Sequence, residues 1–167
     1  MGNSIDAPRR RPGLIAATLA ALALSAVGAW AESACREDTV MLRGDWGSVR
    51  FNVEIADEPQ EQARGLMGRE AMPVSSGMLF VYPAPRRASF WMRNTLIPLD
   101  MLFVDASGTV THIHHEAVPL DETSIFGGDN VLAVLEINGG LARRLGITEG
   151  TRLRHPAFSP DEAAWPC

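Results

Sequence analysis

Apolar and polar residues alternate through much of the chain, and the alternation reads as strands. Val49, Phe51, Val53 and Ile55 interleave with Arg50, Asn52 and Glu54, so this run buries one face and wets the other. Thr39 to Leu42 precedes it, and Gly44-Asp45-Trp46-Gly47 between the two supplies a hairpin turn. Asp57, followed by Pro59 and Gln60, predicts the N-cap of a first helix. That helix carries Ala63, Leu66 and Met67 on one side and stops near Gly68. Short strands are predicted over 77–82, 88–92, 99–105 and 110–114, the last after a Ser107-Gly108 turn. A loop through Pro119 to Asn130 leads to a strand over 131–137, apolar on both faces except for Glu136. Asn138 then caps a second short helix over 139–145, with Arg143 and Arg144 near its C-terminal dipole and Gly146 closing it. Thr151 to His155 reads as a last strand. Many short strands with two short helices predict a mainly-β domain, barrel- or sandwich-like, with antiparallel or mixed strands.

Ahead of this pattern, residues 9–31 read as an export signal. Arg9 to Arg11 form a basic start, Leu14 to Val27 is apolar or small throughout, and Ala29-Trp30-Ala31 offers a peptidase its small residues. The apolar core is shorter than the ~20 residues that cross a bilayer. Cleavage after Ala31 is therefore expected, giving a periplasmic or secreted protein with no stable membrane span; retention as an anchor is the alternative. The predicted organisation is a signal over 1–31, an N-terminal extension and first strand over 32–48, a main domain over 49–155 and a tail over 156–167. The remaining 136 of 167 residues suffice for one core.

Charge narrows the partners. The whole chain is −5, and the part after Ala31 is more acidic still, which gives no reason to expect nucleic acid. All 15 basic residues are arginine, so lysine Schiff bases and lysine general bases are excluded. The two cysteines, Cys35 and Cys167, flank the predicted domain, and in an oxidising compartment they suggest a bridge between its ends, with Trp165 and Pro166 docking the tail.

The richest segment is Ser89 to Phe103, SFWMRNTLIPLDMLF. It sets Arg93, Asn94, Thr95 and Asp100 inside an apolar run, where an unpaired buried polar group costs ~1–3 kcal/mol and a buried charge more. They form either a structural network or a site. Together with Phe51 to Ile55, Ala63 to Met67, Gly77 to Val81, Asp105 to Gly108, His114 to Pro119 and Leu135 to Asn138, this segment resembles the domain-of-unknown-function family 192 (DUF192). The resemblance covers nearly all of residues 49–155. Family members more often carry lysine at the place of Arg93. What it implies is a compact, mainly-β single domain, often exported, and no established reaction.

Several constellations compete for chemistry. Asp100 and Glu136 are carboxylates embedded in apolar strands, and as an acid/base pair they would support a hydrolase. The plainer reading pairs each with an arginine, Arg64 and Arg93 being the candidates, in a structural or interaction protein whose motif is its core. His112 and His114 point to one strand face and could hold a metal with Glu116 or Asp121, but no established ligand spacing supports this. Met67, Met72, Met78, Met92 and Met101 raise copper(I), though ordinary core packing fits their scatter better. Trp91 beside Phe90 offers a stacking surface if the two rings face opposite ways. No nucleophile elbow or phosphate loop occurs, and no cofactor is expected. The reading that follows is a monomeric binding or accessory module for a small polar ligand or an envelope glycan or peptide. Its predicted site is Arg64, Trp91, Arg93, Asn94, Thr95 and Asp100.

Overall fold

A computed structural model describes residues 1–2 and 35–167, so the export signal expected over 9–31 lies outside the described residues. The chain divides into two compact units, 1–31 and 32–167. Only the exposed Met1 and Gly2 are described in the first; everything below concerns the second. Among the described residues, no helix is long and apolar enough to cross a membrane.

The domain is a curled seven-stranded mixed sheet with two short helices. In chain order the elements are β1 (Thr39–Gly44), β2 (Gly47–Ala56), α1 (Pro59–Arg64), β3 (Ser76–Phe90), β4 (Leu99–Val104), β5 (Val110–Ala117), β6 (Ile125–Asn138), α2 (Leu141–Leu145) and β7 (Arg152–Arg154). Their order across the sheet is β5-β4-β6-β3-β2-β1-β7. The β2–β3 pair is parallel, with α1 in the crossover, and the other pairs are antiparallel. The sheet curls far enough for its edges to touch at one end. Val110 N–H donates to Thr151 O at 2.8 Å and Leu153 N–H to Gly108 O at 2.7 Å.

Both faces of the sheet are covered. One carries Val40, Leu42, Phe51, Leu79, Leu102, Leu135 and Leu153 with Leu141 and Ala142 of α2. The other carries Met78, Phe80, Leu99, Met101, Phe103 and Val134 with Leu66, Met72 and Met92. Four of the five scattered methionines thus fill core gaps. The second core includes Phe103, whose ring packs flat against Gly127, so that a Cβ there would lie 1.9 Å from Phe103 Cδ1. Gly127→Ala should therefore lower stability by about 1–3 kcal/mol, the cost of overpacking a core, read by urea denaturation; a smaller loss would mean the Phe103 ring has room to swing aside.

The predicted hairpin forms with Gly44 opposite Gly47. Five local expectations are corrected. The first helix starts one residue later, capped at Glu58 with Pro59 at its first position, and ends at Gly65 rather than Gly68. Glu61, not Gln60, reaches back to the Glu58 N–H, at 3.3 Å. The strands expected over 77–82 and 88–92 are one bent strand, β3, whose pairing with β6 shifts register between Val81 and Ser89. Pro83 and Pro85 sit in that irregular stretch, where their missing donors cost no ladder bond. The partner of its second half is the beginning of β6, in what reads as loop. Asn138 does not cap α2: its side-chain amide donates to Met72 O and Pro73 O at 3.2 and 3.1 Å.

Cys35 and Cys167 form a disulfide across 132 residues. The tail docks as expected, with the Arg43 guanidinium 4.2 Å over the Trp165 ring and Arg154 Nε donating to Pro166 O at 3.1 Å. Replacing both cysteines by serine should lower stability by about 2–4 kcal/mol, measured by urea denaturation against the oxidised protein. An unchanged midpoint would show that the docked tail needs no covalent help.

Candidate functional site

The predicted carboxylate pair is split by the sheet. In the β4–β6 ladder Met101 stands opposite Glu136 and Asp100 opposite Ile137. Cross-strand partners share a face and neighbours along a strand do not, so the two carboxyls point to opposite sides. This register does not bring Asp100 and Glu136 together in one cleft.

Asp100 is fully buried. Its Oδ1 accepts from the Glu116 and Gly140 N–H groups at 2.8 and 3.0 Å, and Oδ2 from the Ala142 N–H at 2.7 Å. It therefore takes the capping role at α2 that the sequence suggests for Asn138. His115 Nδ1 lies 3.9 Å from Asp100 Oδ1, beyond hydrogen-bond reach. Neither Arg64 nor Arg93 pairs with either carboxylate; among the described residues, neither makes an ion pair.

Glu136 is the more unusual group. Its side chain is 4% exposed and has no hydrogen-bond or ion-pair partner among the described residues. Burial raises its pKa from 4.5 to about 8, so at neutral pH it is mostly the uncharged acid. It lies at a cleft of about 130 Å³. Leu66, Met67, Phe80 and Phe90 line it together with Gln62, Arg64, Ser89, Trp91 and Thr95, and Leu66 and Phe80 themselves are almost wholly buried, so polar groups make up much of its exposed surface. The sequence reading brings Arg64, Trp91, Thr95 and Glu136 to this place and misses Tyr82, which lines the cleft too. Tyr82 continues the Met78, Phe80 alternation on β3 one step further, a signal obscured by Pro83. Burial pushes its phenol up, Arg86 opposing and Glu136 adding, so it remains a neutral hydroxyl.

The aromatic pair behaves as alternation suggests. Phe90 stacks edge-on between Phe80 and Phe103, with ring centroids 5.2 and 5.8 Å away, whereas Trp91 is 48% exposed. The Arg93 guanidinium lies 5.6 Å from the Trp91 ring centre. Asn94 is exposed, adopts φ 54° and offers its carbonyl to the Gly68 N–H at 2.8 Å, while Thr95 Oγ1 donates to Arg93 O at 3.3 Å. Arg93 and Asn94 therefore flank the cleft without lining it.

The histidines assemble differently from a metal site. His112 stacks on Phe103 at 5.7 Å, and its Nδ1 is 3.4 Å from Glu149 Oε1. His114 is held below its ordinary pKa by burial and by the neighbouring His112 and His115, opposed by Asp100. Glu116, considered as a third ligand, accepts from Arg143 Nη1 at 2.5 Å. Among the described residues, no three histidine, cysteine or acidic side chains converge as a metal would require.

A family model, DUF192 (Uncharacterized ACR), matches residues 40–155, a span that takes in β1 as well as the strands that follow. The chain belongs to DUF192. This DUF192 domain is similar to a protein of unknown function from Novosphingobium aromaticivorans DSM 12444, at 47% identity. That match covers 69% of this chain and 82% of the other, with a TM-score of 0.68. It is also similar to a Sinorhizobium meliloti 1021 protein whose name suggests a transcription regulator, at 38% identity and a TM-score of 0.71, over 76% of this chain and 99% of that one. No curated protein matches it. The DUF192 match and these relatives establish the fold and the family and assign no reaction.

Proposed function

We propose that the domain is a non-catalytic binding module of the cell envelope that holds one unit of a glycan in the cleft over Glu136. The observation that carries the reading is Glu136 itself, an unpartnered and nearly inaccessible acid at a lined cleft. A fold retains so costly a group most readily where a ligand supplies the missing hydrogen bond. Trp91 provides a half-exposed ring on which a sugar can stack, and Arg93 braces that ring. Arg64, exposed and without an ion-pair partner among the described residues, stands at the cleft to meet a polar or anionic substituent.

Binding is favoured over hydrolysis because Glu136 is the single carboxylate lining the cleft, whereas glycoside hydrolysis ordinarily needs two, roughly 5–10 Å apart. The disulfide and the predicted export signal support the envelope as the compartment. Asp100 has no part in this reading, its oxygens being occupied on the opposite face.

The test is a thermal-melt and calorimetric screen of the oxidised protein against envelope glycans and short envelope peptides. Trp91→Ala, at an exposed position, should leave the melting temperature within a degree or two while weakening glycan binding tenfold or more. Peptide binding without glycan binding would overturn the proposal, as would glycan binding indifferent to Trp91.

A further inference from the structure

We infer that the cleft over Glu136 takes the negatively charged group of an acidic sugar, a carboxylate or a phosphate, with Arg64 as its counter-charge. The Glu136 hydroxyl donates a hydrogen bond to the same group. This rests on the glycan-binding reading above and deepens it by naming the class of sugar.

The charge around the cleft selects an anion. Arg64 lines it. Arg86 lies 5.1 Å from the ring centre of Tyr82 and Arg93 5.6 Å from that of Trp91, and both rings line the cleft. None of these three arginines makes an ion pair among the described residues. The one carboxyl that lines the cleft is Glu136, and burial keeps it mostly uncharged at neutral pH. A chain of net charge −5 thus gathers three guanidiniums without ion-pair partners at one place. An amino sugar would be repelled there, and an anion would be drawn in.

The hydrogen-bonding groups agree. A guanidinium offers only donors, and the neutral acid of Glu136 and the neutral phenol of Tyr82 each add an O–H. A sugar hydroxyl brings a donor with every acceptor and leaves the charge of Arg64 unanswered. An oxyanion brings acceptors alone, and its charge-assisted bonds are roughly twice as strong as neutral ones. A volume of about 130 Å³ admits one such group, with its sugar ring outside against the exposed Trp91.

Calorimetry on the oxidised protein tests this with two matched pairs. Tetragalacturonate is compared with its methyl ester, which keeps the backbone and removes the charges, and glucose 6-phosphate with glucose. At pH 7 the charged member of at least one pair should bind about tenfold more tightly, and that pair names the source as carboxylate or phosphate. Arg64→Gln, at an exposed position, should leave the melting temperature within a degree or two and lose the preference. Arg64→Lys, which keeps the charge without the planar fork, should retain part of it. Between pH 7 and 9.5 Glu136 ionises beside the bound anion, so affinity should fall about tenfold. Tyr82, raised above its ordinary 10.0, does not titrate in that interval. Glu136→Gln, whose amide donates at every pH, should bind without the fall.

Equal, Trp91-dependent binding of both members in both pairs would overturn the acidic-sugar assignment and leave the glycan module standing. A charge preference retained in full by Arg64→Gln would overturn the role given to Arg64, and a pH fall unchanged in Glu136→Gln that given to Glu136. Absence of binding by any glycan to the folded protein would overturn both readings.

Discussion

Glu136→Gln is expected to raise the stability of the folded domain by about 3 kcal/mol at pH 7 and about 4 kcal/mol at pH 8, while changing it little at pH 4. The sign follows from the direction of the shift. The unfolded carboxyl titrates near 4.5 and the folded one near 8, so the folded protein holds the proton more tightly throughout that interval. Below 4.5 both forms are protonated and the group is neutral toward folding. Between 4.5 and 8 the unfolded chain releases its proton first, so stability falls as pH rises, and above 8 the loss is complete. Glutamine removes the titration while keeping the shape. Urea denaturation at pH 4, 6 and 8 should therefore give a declining series for wild type from this group and none from it in the variant. Parallel curves for the two proteins would show that water in the cleft solvates the carboxylate.

Asp100→Asn should act in the opposite direction, lowering stability by about 3–5 kcal/mol, as expected when a buried charge is removed from its hydrogen-bonded donors. The carboxylate joins three backbone N–H groups from two places, the end of β5 and the start of α2. An amide can offer acceptors from one atom only, and its NH₂ must face at least one of those donors. The Glu116 and Gly140 bonds share Oδ1 and the Ala142 bond uses Oδ2, so either orientation of the amide leaves a donor facing a donor. The same variant should bind glycan unchanged at temperatures where it is folded, because its side chain is on the far side of the sheet from the cleft. A stability loss below 1 kcal/mol would show that the α2 N-terminus finds other acceptors.

How far the fold was legible depended on whether its signals were local. The β1–β2 hairpin is written in alternation and in two glycines one turn apart, and both are properties of neighbours in sequence. The length of β3 is not. Pro83 and Pro85 look like terminators, and only the pairing of Ala88, Ser89 and Phe90 with the start of β6 makes the second half a strand. The cap of α2 is supplied by a residue 40 positions away, so Asn138, the local candidate, attracts an assignment that Asp100 fills.

The candidate site shows the same division. That Asp100 and Glu136 are polar residues in apolar strands is plain from the sequence. Which side of the sheet each faces depends on the register between β4 and β6, and a slip of one residue would reverse the answer. The composition also suggests arginine partners for both carboxylates. It gives no sign that one is satisfied entirely by main chain and the other by nothing in the fold.

The disulfide has a mechanical consequence. Its Cα atoms are 5.6 Å apart, so Cys35 and Cys167 sit side by side and close the chain between them into one covalent ring. Tension applied between those two residues runs through sulfur and bypasses every strand. A tether on either side would hold the domain without loading the β1–β7 ladder, and in oxidising surroundings a pull could drag the molecule but could not unzip it from its ends.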